Sequence, residues 1–315
     1  MIMMFIGCGG WQYFNAPGDK LVNYSKLYNF VEVNTTFYHL PQYSTAKKWR
    51  AKVPDHFTFA VKANRAISHD APFQLSERNL QIMDSLKEIC KLLRSSLLVI
   101  QTPSYYHPTK KNLSKAALFF EEIQGKNLEL FWEIRGPFYS FSEKEHFKAI
   151  CGKYHITQVT DIFHELPMHV EKTFYTRIFG KGQGNKWELS NQEIQNVHSF
   201  LQPMEREKKV VVSFHTMRME NDAVRFGEYN KTTSLLSFIP EKGVKSALKS
   251  IKQLDSYPIS KELLIAEHGW KLLNLEKNEQ TRLSAILQHI SDRKYSNYQD
   301  IKGEILQVFS QSFNS

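Results

Sequence analysis

The 315-residue chain has little cysteine and no long apolar run. Its three cysteines, Cys8, Cys90 and Cys151, lie far apart and form no C-x-x-C pair. An odd, scattered set of thiols excludes a disulfide framework and a cysteine-based zinc site, and points to reduced thiols in a cytoplasmic protein. No apolar stretch approaches the ~20 residues a membrane-spanning helix needs, so no membrane partner is expected. The opening MIMMFI lacks a cationic segment and is too short for a secretory signal. The dinucleotide fingerprint G-x-G-x-x-G is missing as well, since GCGGW at 7–11 does not supply it. Neither H-x-x-E-H nor H-E-x-x-H occurs, and there is no zinc finger, RNP motif or arginine-rich arm.

What remains is a globular chain. Hydrophobic content of 42% and aromatic content of 13% suffice for a real core. The length accommodates one large domain and a small one. The net charge of +9 favours anionic partners, a small molecule or nucleic acid, although its excess forms no basic tail.

Eight β-rich runs alternate with helical stretches: MFIGCG (4–9), FVEVNT (30–35), FTFAVKA (57–63), SLLVIQT (96–102), LELFWEIR (128–135), ITQVTD (156–161), FYTRIFG (174–180) and KVVVSFH (209–215). Amphipathic segments lie between them, such as 76–94, opened by Ser76 as an N-cap, and 190–201. The alternation predicts an α/β fold, a TIM-like (β/α)8 barrel over residues 1–235. Only a dozen residues, including Pro167, separate runs six and seven, which predicts a missing or incomplete helix there. Beyond, residues 246–315 read as a small helical domain with helices at 244–254, 260–273 and 278–291 and another in the tail.

The run VEVNTTFYHLP (31–41) locates the site. Val31 and Val33 suit the helix-facing side of a barrel strand, which turns Glu32 and Asn34 into the lumen near its C-terminal mouth. The same alternation brings Lys62, Gln101, Glu133, Arg135, Asp161, Arg177, Ser213 and His215 to that end, with Val61, Ile100, Ile134, Ile178 and Phe214 on the outer face.

The ordered segments IGCGGWQY, VEVNTTFYHLP, FTFAVKANRAISHD, LLVIQTP, ELFWEIR, VTD and FYTRIFGKG resemble the YecE-like family, the domain of unknown function 72, across residues 3–235. The resemblance implies a TIM-barrel-like fold and recurrent polar positions at Glu32, Asn34, Thr36, Tyr38, Lys62, His69, Glu133, Arg135, Asp161 and Arg177. Cys8 stands where the pattern has threonine or serine. The segment from YPISKELL to DIKGEI resembles a second small family of unknown function, number 2795. Neither resemblance carries an established reaction or cofactor.

Three carboxylates (Glu32, Glu133, Asp161) and three cations (Lys62, Arg135, Arg177) in one lumen must compensate one another. We assign catalytic candidacy to Glu32, Lys62, His69, Glu133 and Asp161. Trp11, Tyr13, Asn34, Thr36, Tyr38, Gln101, Arg135, Arg177, Gly180 and His215 are the ligand-binding candidates. Arginines suit a phosphate or carboxylate, and GKGQGN (180–185) follows run seven, where barrels of this type often hold phosphate. The expected function is binding or processing of a phosphorylated, sugar-like or nucleic-acid ligand at the mouth. Two alternatives stand: a metal-dependent endonuclease-like or xylose-isomerase-type enzyme using Glu32, Glu133, Asp161, His69 and His215, and a non-catalytic binder or adaptor. The neutralising cations weaken the metal reading.

Overall fold

The fold is that of a computed structural model, described over residues 4–14, 18–125, 127–181, 183–235, 241–252, 254, 257–269, 271–275 and 280–312. In chain order the first part runs β1 (Met4–Cys8), α1 (Lys20–Leu27), β2 (Phe30–Val33), α2 (Thr35–Tyr38), α3 (Tyr43–Ala51), β3 (Thr58–Lys62), a π-turn (Ala66–Asp70), α4 (Glu77–Leu92) and β4 (Leu97–Thr102). It continues with α5 (Lys110–Ile123), β5 (Glu129–Ile134), α6 (Phe141–Tyr154), β6 (Ile156–Gln158), β7 (Thr173–Ile178), α7 (Asn191–Leu201), β8 (Lys209–Phe214) and α8 (Met219–Thr232). Helix starts are chemically explicit. The Ser76 hydroxyl accepts from Asn79 N–H, and Ser140 and Ser190 form capping boxes with Glu143 and Glu193.

Among the described residues, eight parallel strands form one sheet in the order β6-β5-β4-β3-β2-β1-β8-β7. This is a nearly closed (β/α)8 barrel. Between β6 and β7 there is no helix, as the short crossover with Pro167 requires. The ladder there shrinks to a single bridge, Thr160 with Thr176, reinforced by Arg177 N–H donating to Thr160 O at 3.1 Å.

Contacts divide the chain into two compact units, residues 1–10 with 28–219, and residues 11–27 with 220–315. The first unit contains all eight barrel strands. Its lumen is stratified. The lower layer is apolar, a buried cluster of Phe30, Ala60, Leu97, Val99, Phe131, Val159, Tyr175 and Val211. Two residues further along, on the same face of each strand, stand Glu32, Lys62, Gln101, Glu133, Arg177 and Ser213. The polar end of the lumen therefore rests on an apolar floor.

The second unit adds α9 (Val244–Ile251), α10 (Lys261–His268), α11 (Leu283–Leu287) and α12 (Tyr298–Ser312). Leu264, Leu273, Leu283, Ile286, Leu287, Tyr295, Ile301 and Ile305 are fully buried in its core. The helices at 260–273 and 278–291 are shorter than the periodicity predicts. A chain turn at Gly269 ends α10, and Leu272–Asn274 then pairs antiparallel with Gln280–Arg282. A second ribbon joins Ile259–Ser260 to Lys294–Tyr295.

Candidate functional site at the C-terminal mouth of the barrel

Arg177 on β7 organises the polar layer. Its Nη2 donates to Glu32 Oε1 at 2.9 Å, and its Nη1 donates to Gln101 Oε1 at 2.8 Å and to Glu133 Oε2. Its Nε points at His215 Nε2, 3.2 Å away. The second Glu32 oxygen accepts from Tyr175 Oη at 2.7 Å. One guanidinium thus joins β2, β4, β5 and the end of β8, using a planar fork that a lysine does not possess. Glu32 and Arg177 are fully enclosed, with side-chain exposures of 0% and 2%.

The electrostatics follow from that geometry. Burial alone would raise the Glu32 carboxyl, but the Arg177 guanidinium holds it well below the usual carboxylate range. Burial likewise opposes ionisation of Glu133, and Arg177 and Arg135 overcome it. Both carboxylates are anionic. His215 is neutral, because burial and then Arg177 push it down to about 4. With Arg177 Nε donating to Nε2, the ring proton belongs on Nδ1. The ring stacks on Phe179 with centroids 4.9 Å apart, and it packs against the backbone of Gly9, where a Cβ would lie 2.4 Å from Nδ1. Glycine at position 9 is what admits the imidazole.

Above this brace stand less committed cations. Arg135 donates through Nε to Glu133 Oε1 at 2.5 Å and lies over the Phe179 ring, 4.7 Å from its centroid. Its side chain is 38% exposed, and among the described residues its terminal nitrogens have no hydrogen-bond partner. Lys62 Nζ sits over the Phe37 ring, 4.3 Å from the centroid, with neither an ion-pair nor a hydrogen-bond partner among the described residues. Burial, then Arg177, push it down to about 7, although Glu32 and Glu133 pull the other way. His69, on the π-turn, meets the edge of Phe37 at 4.8 Å and shares its Nδ1 with the Ser68 hydroxyl at 2.9 Å. Burial and then Lys62 depress it to about 4.

Other candidates have different places. Asp161 receives Phe163 N–H on one oxygen, and Phe179 and Gly180 N–H on the other at 2.8 and 3.1 Å. Its carboxylate thus shapes the turn after β7 and already occupies the Gly180 N–H that an anion would want. Thr36 is buried and directs its hydroxyl at Val33 O and Lys62 O, tying α2 to the end of β3. Asn34 caps α2 without a side-chain capping bond, and its Oδ1 is buried with no partner among the described residues. Tyr38 is exposed and touches Phe37 edge-on. Trp11, buried, and Tyr13, 77% exposed, belong to the second unit. Tyr106 is buried and packs with Phe73 and Trp132. Residue 182 of the GKGQGN loop lies outside the described residues.

Sequence reasoning missed Tyr175 and Phe179. Both share the parity of Arg177 on β7, and that spacing was the available signal; as aromatics they read as core. Among the described residues no group of three or more His, Cys, Asp or Glu side chains is arranged to hold a metal ion. Glu32 and Glu133 share the Arg177 guanidinium where a divalent ion would have to bridge them, and Asp161 and His69 are engaged elsewhere. No described helix is long and apolar enough to cross a membrane. Cys8, Cys90 and Cys151 are buried thiols.

Known proteins agree with this architecture. A DUF72 family protein from Enterococcus faecalis superposes with a TM-score of 0.59 at 19% identity, covering 75% of this chain and 99% of that one. One from Thermotoga maritima gives 0.57 at 15% identity, over 73% and 99%. The UPF0759 protein YecE of Escherichia coli K12 is 35% identical over 72 residues, which is 22% of this chain and only 26% of that protein's length. The sequence model described as "Protein of unknown function DUF72" matches residues 5–233, which takes in all of the eight strands but Met4, and the chain belongs to that family.

Proposed function

We propose that the barrel mouth binds a small ligand carrying a phosphate or carboxylate group and that Arg135 is its principal anchor. The observation that carries this is the division of labour among the cations. Arg177 is committed to two buried carboxylates, whereas Arg135 keeps its terminal nitrogens available and is held in orientation by Glu133 Oε1 and the face of Phe179. A pre-oriented guanidinium loses little freedom on gripping an oxyanion with two bonds. Lys62, His69 and the unpaired Asn34 Oδ1 then offer an amine, an imidazole and an acceptor to the rest of the ligand.

Thermal shift and calorimetry with inorganic phosphate, sugar phosphates and short 2-oxo acids test the reading. Loss of a charge-assisted contact costs about 1.5–3 kcal/mol, so Arg135→Gln should weaken binding by roughly ten- to a hundredfold. Equal responses of the wild type and Arg135→Gln to all of these anions would refute it.

A further inference from the structure

We infer that Lys62 is an amine nucleophile that forms an imine with an aldehyde or ketone bearing an oxyanion, so that the ligand class of the mouth is the anionic carbonyl compounds. The inference rests on the anion-binding reading above and names its substrate class. Three observations support it. Lys62 closes β3 at the mouth, on the face of the strand that lines the lumen. Its Nζ lies over the Phe37 ring without an ion-pair partner, while the carboxylates able to neutralise it are bound by others: Glu32 by Arg177 and Tyr175, Glu133 by Arg177 and Arg135. Moreover, the charged groups that act on it include two arginines, from β7 and the end of β5, against Glu32 and Glu133. An amine so placed is uncharged in an appreciable fraction at neutral pH, as imine chemistry requires.

The step balances without an oxidant. The Nζ lone pair attacks the carbonyl carbon, forming the N–C bond, and the carbonyl π pair moves to oxygen, which takes a proton. Nitrogen gives up one proton, and the hydroxyl gains one and leaves as water when the nitrogen pair forms C=N. The resulting iminium releases its remaining N–H proton to give the imine. Arg135 would hold the phosphate or carboxylate of the same molecule. Neutral His69, against the same Phe37 ring, is an acceptor for the proton that nitrogen gives up.

Borohydride trapping tests this with pyridoxal 5'-phosphate and glyoxylate as probes, read by peptide mass spectrometry on the full chain. At pH 7 an ordinary lysine is unprotonated in less than about one molecule in a thousand. Lys62 should therefore be labelled at least about tenfold faster than exposed lysines such as Lys48 and Lys115, and its rate should level off at lower pH than theirs. Lys62→Arg should abolish the fast label. Labelling of Lys62 no faster than Lys48 would overturn the inference. If phosphate still shifts melting through Arg135 in that case, the anion reading survives it. Conversely, fast Lys62 labelling that neither phosphate nor Arg135→Gln slows would support the imine chemistry and sink the anion anchor.

Discussion

Arg177 Nη2 and Glu32 Oε1 meet at 2.9 Å across the barrel lumen, from β7 to β2 and 145 positions apart in the chain. The same guanidinium holds Glu133 and Gln101, so its loss leaves two buried carboxylates short of donors. A lysine at 177 carries the charge but not the fork. Arg177→Lys should destabilise the fold by about 3–5 kcal/mol. Urea denaturation measures this, and a midpoint within error of wild type would show that the brace is not structural.

Glu32→Gln should cost less, about 2–3 kcal/mol, because Arg177 keeps Glu133 and Tyr175 keeps an oxygen to donate to. The ranking Arg177→Lys worse than Glu32→Gln follows from the number of stranded groups. The opposite ranking in the same urea series would contradict the geometry.

Lys62 is held below its ordinary value, to about 7, by burial and then Arg177. The unfolded chain therefore binds the extra proton between roughly pH 7 and the usual lysine range near 10.4, and stability gains a rising contribution across that window. Lys62→Met removes the penalty. It should raise stability at pH 7 by about 1–2 kcal/mol, with the advantage shrinking toward pH 10. Melting curves of both proteins at pH 7 and 9.5 decide the matter, and a variant less stable than wild type at pH 7 would count against a desolvated amine.

On the acid side, His215 and His69 are both depressed to about 4, each by burial first and a neighbouring cation second. Histidines in the unfolded chain take protons from about pH 6.5 downward, so stability should fall between pH 6.5 and 4. Glu32 and Glu133, held low by Arg177 against the effect of burial, keep their contribution through that window and lose it at lower pH. His215→Gln should flatten part of the 6.5-to-4 slope. An unchanged slope in that variant would assign it to other groups.

Gly9→Ala places a methyl group 2.4 Å from the His215 ring, which Phe179 confines on one face. The expected cost of overpacking is about 1–3 kcal/mol. His215→Ala in the same chain should recover part of it, and a double-mutant cycle with zero coupling would mean that the two positions do not touch.

Alternation along single strands was enough to place Glu32, Lys62, Gln101, Glu133, Arg177 and His215 on one face of the barrel, because side chains in a strand point to opposite sides by turns. Strand count and crossover length likewise made the barrel and its missing helix readable, since a parallel crossover needs a minimum of chain. Burial of ionised groups also requires, from the sequence alone, that the lumen charges compensate one another. Which charge pairs with which was not readable. Arg177 rather than Arg135 takes the central place, Asp161 turns from the lumen to three backbone N–H groups, and Lys62 is left without a carboxylate. Those assignments depend on ångström-scale distances between strands remote in sequence, set by barrel register and side-chain length. Only the tertiary structure decides them.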